Sequence, residues 1–93
     1  MSEQMTLSAL EQLRSSVINY QREILSDREL ASQLGSALSN GMGGDVISTK
    51  VVEKLSPILQ EFEVLDEVTT RLIKCIDDDI INLELIISQT EQL

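Results

Sequence analysis

The chain has 93 residues, enough for one small domain, and is 42% hydrophobic but only 2% aromatic; Tyr20 and Phe62 are its rings, so any core is built from Leu, Ile and Val. With 16 Asp and Glu against 7 Lys and Arg the formal net charge is -9, which disfavours nucleic acid and anionic membrane surfaces as partners and also keeps an apolar-rich chain in solution. Cys75 is the sole cysteine, excluding an intrachain disulfide and a cysteine-based zinc site; no apolar run reaches the roughly 18 residues of a membrane span, and the first six residues carry no signal-peptide pattern.

In the first half, apolar residues recur at alternating steps of three and four: Leu10, Leu13, Val17, Tyr20, Ile24, then Ala31, Leu34 and Leu38, with Asp27 out of pattern. That spacing predicts one amphipathic helix over about 7–38, its stripe facing a partner helix. Ser8 with Glu11 forms a capping box at the start, with Thr6 as a rival cap, and a second box at Ser26 and Glu29 marks a candidate kink or break.

Residues 39–45 read Ser-Asn-Gly-Met-Gly-Gly-Asp. Glycine costs a helix about 1 kcal/mol relative to alanine, so Gly41, Met42, Gly43 and Gly44 are predicted to form a turn. Asn40 or Gly41 ends the first helix in the left-handed conformation, and Asp45 or Ser48 caps the second. The Gly-Lys-Ser/Thr ending of a phosphate-binding loop is absent.

The second half carries Val51, Leu55, Ile58, Phe62, Leu65, Leu72, Ile76, Ile80, Leu83 and Ile87 at helical spacing, predicting a helix over about 46–91. Ser56-Pro57 is a cap and first-turn pair, so a kink or break is expected near Leu55. The run Ile80 to Ile87 is apolar on more than one face, which implies contact with more than one neighbour. Two long helices joined by a short turn form an antiparallel hairpin, an all-α fold, and a second hairpin docked on it completes a four-helix bundle. A dimer is therefore expected, with Leu10, Leu13, Val17, Ile24, Leu34, Leu72, Ile76, Ile80, Leu83 and Ile87 in the partner-binding rows. The partner is helical, either a second copy or a related hairpin.

Little here points to catalysis. Histidine is absent, and Cys75 beside Ile76 reads as a small buried filler. Asp77, Asp78 and Asp79 are consecutive, so a helix fans them apart instead of converging them on an ion; Asp79 falls nearest the apolar stripe. Neither a metal, a cofactor nor an enzymatic reaction is expected. Phe62 and Asp66, four apart, project from one helix face as an aromatic knob beside a carboxylate, a candidate recognition patch.

A chain of this length made of helix, glycine-containing turn and helix resembles the small helical-hairpin proteins of type VII secretion, the Trp-Xaa-Gly family and its relatives that accompany LXG toxins. Gly41-Met42-Gly43 stands where that family's turn has Trp-Xaa-Gly, and Phe62 to Asp66 repeats the aromatic-to-acid spacing of its export signal. The resemblance implies a cytoplasmic protein exported without a cleavable signal, a small substrate or adaptor bound to a larger toxin's helical domain. The same stripes suit a structural subunit or export chaperone of another complex, built as a homodimeric bundle.

Overall fold

A computed structural model describes residues 2–41 and 46–91, and in it the chain is two helices, α1 (Glu3–Gly41) and α2 (Val46–Glu91), folded back on one another as an antiparallel hairpin. No strand occurs among the described residues. The molecule is a rod of 73 × 18 × 14 Å with a radius of gyration of 20.9 Å, where a compact chain of this length would have about 12 Å. At the open end, residues Ser2, Glu3 and Gln4 line one shallow depression together with Ile87, Thr90 and Glu91, so the start of α1 lies beside the end of α2.

Helix α1 starts one turn earlier than the periodicity suggests. Ser2 is its cap: the Ser2 hydroxyl accepts the Met5 N–H at 3.2 Å and the Ser2 carbonyl accepts the Thr6 N–H at 3.1 Å. Thr6 also donates its hydroxyl to that carbonyl at 3.2 Å, so the Thr6 and Ser8 capping signals fall inside the helix. The helix also runs three residues past Leu38, through Asn40 to Gly41. Met42, Gly43, Gly44 and Asp45, the rest of the expected turn and with it the Asp45 cap, lie outside the described residues.

Neither expected break occurs. Helix α1 is continuous through Ser26 and Asp27, because a capping box terminates a helix only where the preceding chain has somewhere better to go, and here the residues on both sides pack on α2. Helix α2 is continuous through Pro57, whose ring sits on the exposed side of the rod, where water reaches the carbonyl that the missing N–H leaves free.

Burial follows a heptad repeat without a skip. Lettering the helices so that Leu7 and Val52 are a positions, the a row of α1 is Leu7, Arg14, Gln21, Arg28 and Gly35, and its d row is Leu10, Val17, Ile24, Ala31 and Leu38. In α2 the a row is Val52, Leu59, Asp66, Ile73, Ile80 and Ile87, and the d row, before it ends on the exposed Thr90, is Leu55, Phe62, Thr69, Ile76 and Leu83. All of these side chains are buried or half-buried, and among the described residues only Thr6, Ile18 and Asp77 are similarly covered outside the two rows. Ile24 and Ile76, 4% and 3% exposed, are the most enclosed apolar residues. The buried Thr69 hydroxyl donates to the Leu65 and Asp66 carbonyls of its own helix, both at 2.9 Å, so it needs no partner from α1.

This register departs from the stripe read off the first half. That stripe runs along the d and g positions, whereas the contact uses d and a, so the helix is turned to bring Arg14, Gln21, Arg28 and Gly35 inward. Leu13, Tyr20 and Leu34 stay exposed in consequence.

Candidate helix-docking face

Two sides flank the seam of an antiparallel pair. Because reversing one helix swaps its flanks, the e positions of both helices border one side and the g positions of both border the other. These two sides have opposite chemistry.

On the e side, three polar residues of the α1 a row each meet an e residue of α2, one heptad apart. Arg14 donates through Nε to Asp77, the Gln21 amide donates to Thr70 Oγ1 at 2.9 Å and to Asp66 Oδ1 at 3.1 Å, and Arg28 donates to Glu63 at 3.1 Å. Each step of seven up α1 is matched by a step of seven down α2, so the ladder reports and enforces one antiparallel register. The Asp77 hydrogen bond, with the carboxylate charge behind it, holds the Arg14 guanidinium above its ordinary pKa. A raised cation stabilises the fold below its unfolded pKa and loses that contribution as pH rises through its folded pKa, so the guanidinium itself stays charged at any working pH. Among the described residues no buried side-chain polar atom lacks a partner.

On the g side there is no such closure. The g row of α1 offers Leu13, Tyr20 and Leu34, and that of α2 offers Val51, Ile58, Leu65, Leu72 and Ile86, every one of them exposed. The row runs nearly the length of the rod, interrupted at Asp27 on α1 and at Asp79 on α2. The chain exposes 6939 Å² in all, roughly 1,500 Å² more than a compact 10.4 kDa monomer would. That excess is the surface of a rod 73 Å long and 18 Å or less across, shared among all its sides.

The residues proposed from sequence therefore divide. Leu10, Val17, Ile24, Ile76, Ile80, Leu83 and Ile87 lie on the seam inside the hairpin, and Leu13, Leu34 and Leu72 lie on the open side. Phe62 and Asp66 do share a face, as their spacing requires, but that face is the seam: both are half-buried against α1 and Asp66 accepts from Gln21, so the pair is not presented outward. Cys75 is exposed, correcting its reading as a buried filler, since its c position is turned about 100° from the neighbouring seam residue Ile76. Of the three consecutive aspartates, Asp77 is held by Arg14 while Asp78 and Asp79 are exposed. The polar ladder was missed altogether. Its signal was the repeat of Arg14, Gln21 and Arg28 at steps of seven, legible only with Asp77, Thr70 and Glu63 placed opposite.

Among the described residues no group of three or more His, Cys, Asp or Glu converges on a common point, and no helix is long and apolar enough to cross a membrane. A shallow open depression beside Pro57, lined by Gln60, Glu61, Val64 and Leu65, lies on the outer side of α2 and assembles no reactive group. No protein-family model, curated protein or solved structure matches the chain.

Proposed function

We propose that this is a partner-binding protein whose work is done by the g side of the hairpin: a small type VII secretion substrate or adaptor that docks on the helical domain of a larger toxin. One observation carries the reading. An apolar row of eight large side chains, each 37–52% exposed, runs along one side of the rod, while the opposite side carries the polar pairs and a single exposed leucine, Leu25. Apolar surface of that extent in water costs about 25 cal/mol per Å², and a second pair of helices laid against it would complete a four-helix bundle.

The secretion assignment rests on the resemblance of hairpin length, glycine-containing turn and aromatic-to-acid spacing to the Trp-Xaa-Gly proteins and their toxin-associated relatives. In this reading the chain is made in the cytoplasm, carries out no reaction and is exported with its partner. The test is cross-linking and co-purification from the native host, followed by mass spectrometry. A toxin or secretion component is expected with the native chain and is expected to be lost with Leu13→Glu and Leu72→Glu. Recovery of the chain solely as a stable homodimer would instead make it a structural subunit or chaperone of another complex.

A further inference from the structure

The charges bordering the open side say what kind of partner fits it. Asp27 and Asp79 stand in the g rows themselves, in place of the apolar residues found above and below them. The antiparallel register sets Asp79 level with Leu13, two heptads from Asp27, so the two carboxylates are separated by about 21 Å along the rod. Glu23 and Glu61, at c positions, add negative charge along the same border.

The chain's own cations are elsewhere. Arg14 and Arg28 are held on the e side by Asp77 and Glu63, and Arg22, Lys50, Arg71 and Lys74 occupy b and f positions on the outer backs of the helices. Lys54, at a c position toward the turn, is the one cation among the described residues that borders the open side.

Resting on the docking reading above, we infer that the occupant of the g side is an amphipathic helix pair of a different chain. Its apolar face is interrupted by two Lys or Arg residues about 21 Å apart along the pair, which meet Asp27 and Asp79. The same two carboxylates select against a second copy of this chain. Two copies docked through their g sides, in either direction, bring aspartate toward aspartate on desolvated surface, with only Lys54 to offset it. Like charges so placed oppose association, whereas a basic partner turns each aspartate into a half of an ion pair. The pair therefore acts as a filter: the leucine and isoleucine rows supply adhesion to any apolar helix, and the aspartates decide which one stays.

The probe is this chain with its two markers inverted. The Asp27→Lys/Asp79→Lys variant presents the same apolar row with the complementary charge. Sedimentation equilibrium of native chain, variant and their equimolar mixture, with circular dichroism to show that each is helical, is expected to give a 1:1 heterodimer. That heterodimer should be at least about tenfold tighter than either self-association and should loosen as salt rises. Asp27→Leu/Asp79→Leu alone is expected to self-associate more tightly than the native chain. If the native chain pairs with itself as tightly as with the lysine variant, the charge filter is refuted and the docking face survives. If neither the mixture nor the leucine variant associates at any concentration reached, the g side is not a docking surface and the proposed function falls too. A heterodimer indifferent to Leu13→Glu in one partner would be seated elsewhere and overturns both.

Discussion

The two sides of this hairpin are built from the same two helices, two letters apart in one seven-letter repeat, and they do opposite things. On the e side, Arg14, Gln21 and Arg28 find Asp77, Thr70 and Glu63, and among the described residues Leu25 is the one large apolar e residue left exposed. On the g side, Leu13, Tyr20, Leu34, Leu65 and Leu72 are only partly covered by the chain, 37–52% of each facing solvent. Polar pairs bring little net stability, but they admit only one alignment of the helices. An apolar row binds strongly and reads alignment poorly. Dividing the two tasks between opposite sides lets the hairpin hold its own register while leaving its most adhesive surface free.

The sharpest way to break this contrast is to remove the same kind of atoms from each side. Ile76→Ala, on the seam and 3% exposed, is expected to cost about 2–5 kcal/mol in urea denaturation, through lost transfer energy and the cavity left behind. Leu72→Ala, one turn away but 44% exposed, should cost the isolated hairpin less than about 1 kcal/mol, while weakening association with the charge-inverted chain. Equal losses from the two in the isolated chain would mean that the g side is already covered, and the contrast would be gone.

A smaller effect, of opposite sign, sharpens the picture of the seam. Gly35 occupies an a position in mid-helix, and a methyl added there would lie 3.7 Å from Leu55 Cδ1, an ordinary contact. Gly35→Ala should therefore raise the unfolding free energy by about 0.5–1 kcal/mol, because the alanine loses less backbone freedom and gains that contact. A drop in the melting temperature would show that the helices approach more closely at this level than the contact allows.

The smallest expected effect concerns the ladder. Arg28 and Glu63 are side chains 40% and 56% exposed, so a double-mutant cycle replacing each by alanine should return a coupling of only about 0.2–1 kcal/mol, shrinking with added salt. A coupling several times larger would mean that the e side contributes adhesion as well as register.

Much of the architecture was legible beforehand. Steps of three and four from Leu10 to Leu38 and from Val51 to Ile87, separated by three glycines within four residues, leave little besides two helices and a turn. The helices are not broken at Ser26 or Pro57, since a local capping signal competes with packing spread over many residues and loses. The second half's excess of apolar faces was visible too, in Ile80 to Ile87, and the open side accounts for part of it: Ile86 is one of its g residues.

What the amino-acid order determined by itself was the helical period, because that depends only on spacing along one chain. Which face of α1 turned inward was decided by tertiary structure. A leucine at position 13 and an arginine at position 14 differ by 100° on the wheel, and hydropathy alone sends the leucine in. Only with Asp77 and Glu63 opposite can Arg14 and Arg28 approach the seam without stranding their charge, and that pairing spans 63 and 35 residues of chain. Helix periodicity is a local property and pairing is not, which is why the sequence names the rods and the fold chooses the side left open.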